Sequence, residues 1–354
     1  MKAISAIIVN FLFACIFSTC ITDPDIKLKS EGYMPEQLDD GWEISTPQAE
    51  GFDLNKINRI YADLFSESIY PTARSLLIVR NGKLVAEAYC KDKADRDNFQ
   101  ALQSATKSIT SMTMGIAVDR GLIDSLNMTV FDFIPEYFDD DMRKRSITLY
   151  HALTMQTGLA FVNDDHTNEF FNYSGSSVEY VLGKNLRFAP GSSFYYNDGD
   201  PQLISAIIQK VAGMTMEQFA DENLFHPLGI HNYQWEHHSD GITFGAIGLW
   251  LTPRDMAKLG KLMVQNGTWN NEPIISNEWI EESTRIHANT NYGYYWWNYE
   301  GGTTFLAVGR GEQIIYVNQE KNLVVVLTTD SFSDERLSPG IRSLIDDAVD
   351  AIIE

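Results

Sequence analysis

The chain has 354 residues, with 27 Lys+Arg against 48 Asp+Glu and a formal net charge of −21. At 44% hydrophobic and 21% charged residues it has an ordinary globular composition, enough for one large or two smaller domains and for a core that needs no disulfide staple. The acidic balance, without any basic run of five or more, argues against nucleic acid as a partner, because that affinity comes mainly from clustered Lys and Arg.

Lys2 precedes a stretch from Ala3 to Thr19 that is apolar or small apart from Asn10, and Asp23 and Asp25 follow it. This pattern predicts an export signal over residues 1–19 rather than a spanning helix. Cys20 stands where a bacterial lipoprotein carries its acylated cysteine, so the expectation is an exported protein of the periplasm or cell envelope with a lipid anchor at Cys20. A plain cleaved signal is the alternative. With Cys15 and Cys20 assigned to the signal, Cys90 remains as a lone small core residue.

Residues 20–45 are polar and contain Pro24, Gly32, Pro35 and Gly41, which predicts a tether ending in a docking segment. Asp53 is a candidate N-cap for a helix carrying Leu54, Ile57, Ile60, Tyr61 and Leu64 at helical spacing. Ser75 to Val79 and Lys83 to Tyr89 flank Asn81-Gly82, a strong hairpin signal. Residues 100–290 show helical periodicity in Ile109 to Val118, Leu203 to Val211 and Arg254 to Val264, joined by long loops rich in Asn, Asp, Gly and Tyr. Phe305 to Gly309, Gln313 to Val317 and Leu323 to Thr328 read as strands, and a last helix follows from Pro339 to Ile353. Strands at both ends with helices between them predict an α+β fold. One antiparallel sheet flanked by helices is built from 46–100 and 290–354. It lies beside a mostly helical domain over 101–289.

Three motifs offer chemistry. Ser104 and Lys107 stand three apart in Gln103-Ser104-Ala105-Thr106-Lys107, which places both side chains on one face of a helix start. A serine hydroxyl is a poor nucleophile until a base takes its proton, and a lysine among apolar neighbours can be that base. The helix N-terminus adds backbone N–H groups near a developing oxyanion. Ala189 to Asp200 opens with a Pro-Gly turn and continues into Phe194-Tyr195-Tyr196-Asn197-Asp198, where a phenol near a lysine can shuttle protons. Gly309-Arg310-Gly311-Glu312-Gln313, at a strand edge, lets backbone approach a ligand closely. Each has a bland alternative: a surface helix start, a buried tyrosine, and a bulged hairpin. The histidines His226, His231, His237 and His238 lack zinc-site spacing, and His151 reads as a local cap. Tyr292, Tyr294, Tyr295, Trp296 and Trp297 are either sheet cover or the wall of a cleft.

Together with Gly82-Lys83-Leu84-Val85, Gly121-Leu122-Ile123-Asp124, Thr157-Gly158-Leu159, Pro227-Leu228-Gly229-Ile230 and Leu251-Thr252-Pro253-Arg254-Asp255, these motifs resemble, in order over residues 45–350, the penicillin-recognising serine hydrolases. The branch is that of class C β-lactamases, D-aminopeptidases, esterases and 6-aminohexanoate-dimer hydrolases. The resemblance implies the serine β-lactamase/DD-peptidase-like fold, with Ser104 as nucleophile, Lys107 as its base and no cofactor or metal. It places the catalytic tyrosine at Tyr196 with Asp198 where Asn is usual; the register of Tyr195 with Asn197 is the alternative. In the third motif Arg310 takes the place of the Lys or His of lactamases, and Glu312 replaces a glycine usual in nearer relatives. That pattern is closest to the dimer-hydrolase and esterase branch. Arg310, Gly311, Glu312, Asp198 and Asn197 are then the substrate and oxyanion candidates, with the backbone of Arg310 as second oxyanion donor and Glu312 as fallback. The implied reaction is cleavage of a small amide or ester through an acyl-enzyme on Ser104. β-Lactam or D-peptide hydrolysis, or a catalytically silent ligand-binding relative, are the alternatives.

Overall fold

A computed structural model describes residues 32–66, 69–288, 290–299, 303–330 and 340–353. The export signal and Cys20 lie outside the described residues.

Asp53 caps helix α1 (Leu54–Leu64) through its carboxylate, which accepts from the backbone N–H groups of Asn55 and Lys56. Strands β1 (Ala73–Arg80) and β2 (Lys83–Tyr89) are joined at Asn81-Gly82, both at positive φ, 52° and 77°. That geometry splays neither strand and matches their twist. After the central region come β3 (Trp297–Tyr299), β4 (Thr304–Gly309), β5 (Gln313–Asn318) and β6 (Leu323–Thr329). The sheet runs β2-β1-β6-β5-β4-β3, antiparallel throughout, so the two chain ends meet at the β1–β6 pair.

Its strands are apolar on both faces because both faces are covered. Leu76, Ile78, Val325 and Leu327 point to α1 and to α6 (Ser343–Asp350), with Ile57, Ile60, Leu344 and Ile345. Leu77, Val79, Val324 and Val326 point to the opposite side, against α5 (Pro253–Val264) and the helical region. Gly260 lets α5 approach closely, since a Cβ there would stand 2.4 Å from the Val324 side chain.

The helical region is threaded by α2 (Thr106–Asp119) and α4 (Gly199–Ala212), in contact with one another. Helix α2 is buried from Thr106 to Ala117, which explains why its apolar residues run around it rather than along one stripe. One expectation needs correction: residues 163–172, read as loop, form helix α3 (Asn163–Asn172), in which Phe170 is the buried residue. The segment read as a tether ending in a docking segment is packed down from Tyr33 onward. Tyr33 stacks on Tyr61, Trp42 is buried, Ile44 bridges to Leu84, and Glu36 and Asp40 meet Arg254. Among the described residues no helix is long and apolar enough to cross a membrane.

Candidate active site

Helix α2 begins as a tight single turn, Gln103–Ala105, before settling into α geometry at Thr106. Gln103 enters it at φ 50°, an uncommon conformation for a residue with a side chain. The helix is then pinned on two sides. Ser108 Oγ donates to the Tyr295 carbonyl at 2.6 Å, and Thr110 Oγ1 to the Gly245 carbonyl at 2.7 Å. Ser104 stands half-buried at the mouth of this rigid element.

Lys107 is fully buried, at 0% exposure. Its Nζ donates to Ser104 Oγ at 3.0 Å and to the Ala246 carbonyl at 3.2 Å, and pairs with Asp198 Oδ1 at 2.7 Å. It also lies 4.9 Å from the centre of the Tyr196 ring. Burial disfavours the ammonium, but Asp198 and then Tyr196 outweigh it, so the lysine is held above its ordinary value.

Tyr196 lines the same cleft as Ser104. Its ring stacks on Trp297 at 5.8 Å and meets Tyr292 edge-on at 5.9 Å. The alternative register points elsewhere. Tyr195 packs beside Phe188 under the Arg187 guanidinium, and Asn197 is buried. Asn197 donates to the Tyr195 carbonyl and accepts from the Asp200 backbone N–H, so it serves the loop rather than a substrate. Asp198 is likewise removed from the substrate candidates, because it is 5% exposed and turned to Lys107. Its other oxygen accepts from Thr167 Oγ1 at 2.7 Å, and its backbone N–H donates to Asn163 Oδ1 at 2.8 Å. Both partners lie on α3, one turn apart.

The far wall is the β4–β5 hairpin. Arg310, Gly311 and Glu312 form its loop, with Gly311 at φ 80° and Glu312 at φ 66°. The glycine expected at position 312 fits this left-handed conformation, which costs a residue with a Cβ about 1–2 kcal/mol. Here Glu312 occupies it and is gripped by both Nε and an Nη of Arg342, at the start of α6. The Glu312 backbone N–H donates to the Gly309 carbonyl at 3.1 Å, so Glu312 is not the fallback oxyanion donor. Thr329 Oγ1 braces the turn from below by donating to the Gly311 carbonyl. Arg310 is exposed at the rim.

Between these walls opens a cleft of about 530 Å³ that reaches Ser104, Tyr196, Trp297, Tyr299, Arg310 and Arg342. The aromatic run is divided. Tyr292, Tyr294, Tyr295 and Trp296 are core, whereas Trp297 faces the cleft. The motifs did not reveal Ala246, Asn163, Thr167 or Arg342, none of which stands in or beside the three motifs. His237 pairs with Glu217, and His238 Nε2 donates to the Phe170 carbonyl. Among the described residues no three His, Cys, Asp or Glu side chains group as a metal site.

The β-lactamase family model matches residues 72–350, and the chain belongs to that family. Its members are serine hydrolases acting on amide or ester bonds. A provisionally named 6-aminohexanoate-dimer hydrolase from Bacillus anthracis superposes with a TM-score of 0.71 at 20% identity, covering 90% of this chain and 88% of that one. A family VIII carboxylesterase gives 0.69 at 16% identity, covering 88% and 99%. These identities establish the shared fold alone. A provisionally named D-alanyl-D-alanine carboxypeptidase of Salmonella typhi is 22% identical over 71% of this chain and 74% of its own length. The chain spans about half the length, 49%, of the similarly named Salmonella enteritidis relative, at 24% identity over 53% of this chain.

Proposed function

We propose that the chain is an exported serine hydrolase that cleaves a small, uncharged amide or ester through an acyl-enzyme on Ser104. The observation that carries this reading is the 3.0 Å contact between Lys107 Nζ and Ser104 Oγ at the base of an open cleft. As the Ser104 Oγ–carbonyl carbon bond forms, the hydroxyl proton passes to the neutral Lys107 amine or to Tyr196 in its phenolate form. The same proton is delivered to the departing amine or alcohol as its bond to the carbonyl breaks. Backbone N–H groups of Ser104 and Arg310 hold the oxyanion between the two walls. Water then attacks the acyl-enzyme, its proton returns to Ser104, and a carboxylic acid leaves.

The cleft wall supports a neutral substrate. The Arg342 charge is neutralised by Glu312, and Trp297, Tyr299 and Tyr196 present aromatic surface to an acyl group. Turnover of a short-chain p-nitrophenyl ester beside a chromogenic cephalosporin, with Ser104→Ala as control, tests the assignment. The expected result is ester turnover that the variant loses. A strong preference for the cephalosporin would overturn the neutral-substrate reading.

A further inference from the structure

The second motif carries Asp198 at the position where its relatives' pattern has a neutral side chain, and the structure shows what the added charge touches. Oδ1 lies 2.7 Å from Lys107 Nζ, with both side chains buried, at 6% and 1% exposure. Oδ2 is fixed from the other side by Thr167 Oγ1 at 2.7 Å, and Asn163 fixes the Asp198 backbone. The carboxylate therefore has a built seat and cannot swing into the cleft.

We propose that Asp198, braced by Thr167, is a positioning residue: it holds Lys107 as an ammonium in the resting site and so sets the pH at which Ser104 becomes nucleophilic. The inference rests on the assignment of Ser104 and Lys107 as the reacting pair. A buried ammonium with a carboxylate at contact distance is strongly favoured over the neutral amine, whereas the same lysine without that carboxylate is left with its burial cost. The other groups facing Lys107 do not replace it. Ser104 and the Ala246 carbonyl are neutral, and Tyr196 acts on the lysine in the same direction as Asp198 but less strongly. Tyr292, behind Tyr196, is held protonated by burial and by the charges around it. Asp200, the second residue of α4, spends Oδ1 on Thr157. Asp164, Arg310, Glu312 and Arg342 line the open cleft. The base form of the pair is therefore scarce near neutrality and grows with alkalinity. Removing the carboxylate makes it available at lower pH.

The test is the rate constant for fluorophosphonate labelling of Ser104 in the full chain, measured against pH, in wild type, Asp198→Asn and Thr167→Val. For Asp198→Asn the midpoint of the rising limb should fall by about one pH unit or more, so that below it the variant reaches about tenfold more of its own plateau rate than wild type. Thr167→Val, which keeps the charge but loosens its seat, should move the midpoint the same way by a smaller step, about two- to threefold on the same scale. A purely structural role would lower the plateau and leave the midpoint in place. An unmoved or higher midpoint in variants whose circular dichroism and melting match wild type would overturn the inference. If Asp198→Asn does not fold, Thr167→Val decides by the same criterion. Absence of labelling in wild type at every pH would instead overturn the nucleophile assignment, and this inference with it.

Discussion

Gly309 lies directly against the Leu102 carbonyl: a Cβ at position 309 would stand 2.0 Å from that oxygen and 3.0 Å from the Gln103 side chain. Both obstacles immediately precede Ser104. The glycine thus lets the end of β4 close onto the turn that presents the nucleophile, and brings the two backbone walls of the cleft together. The requirement is close approach, since β4 keeps ordinary strand pairing there, with Gly309 opposite Gln313.

Gly309→Ala should separate those walls. Backbone must move by roughly 1 Å, and misplacement of that size costs about 100-fold in rate. The expected result is a fall of that order in kcat for ester turnover with a smaller change in KM, and a lower melting temperature. Wild-type kcat in the variant would show that the close approach does not serve the chemistry.

Glu312 and Arg342 form a pair that controls the charge of the cleft wall. Arg342→Ala leaves the Glu312 carboxylate facing the cleft without its counter-ion, and Glu312→Gln leaves the guanidinium. Toward an ester bearing a free carboxylate, Arg342→Ala should raise KM and Glu312→Gln should lower it. A change of about 3–10-fold is expected at low salt and a smaller one at high salt, because the guanidinium is partly solvated. A neutral ester of the same length should respond little. Equal responses to both esters would remove the charge argument.

Asp200 gives a pH signature in stability rather than in activity. It is fully buried, and burial pushes its carboxyl up to about 7 against hydrogen bonds from Thr157 and Asn197. The unfolded chain holds that proton only below its ordinary value, about 3.9. Between about pH 4 and pH 7 the folded state binds the extra proton, so this residue's contribution falls as pH rises through that window and is level above it. The melting temperature of wild type minus that of Asp200→Asn should therefore decline from pH 5 to pH 8. A difference that stays constant across that range would contradict the assignment.

Five of the six strands were legible because apolar β-rich runs, Asn81-Gly82 and the polar loop Asn318 to Asn322 are local signals, whereas β3 (Trp297–Tyr299) was not. Ser104, Lys107 and Tyr196 were legible as motifs, but the motifs could not say which neighbours act on them. Helix α3 was hidden by Asn163-Asp164-Asp165, residues that compete with helix by bonding their own backbone. It is held by Phe170 and by its contacts to the Asp198 loop, and these appear only on folding. Of Asn197 and Asp198, both open as substrate candidates, Asp198 turns to Lys107 and Asn197 to its own loop. Adjacent residues in a loop leave it in different directions, and their burial decides which meets the core and which meets Lys107. Arg342 was out of reach because Glu312 precedes it by 30 residues.

The central claim is that Ser104 is an activated nucleophile. Intact-mass spectrometry of the full chain after exposure to a fluorophosphonate, beside Ser104→Ala, tests it most directly. The account predicts a single adduct on wild type that maps to Ser104 and is missing from the variant. Folded wild-type protein that takes up no adduct, or an adduct that persists in Ser104→Ala, would contradict it.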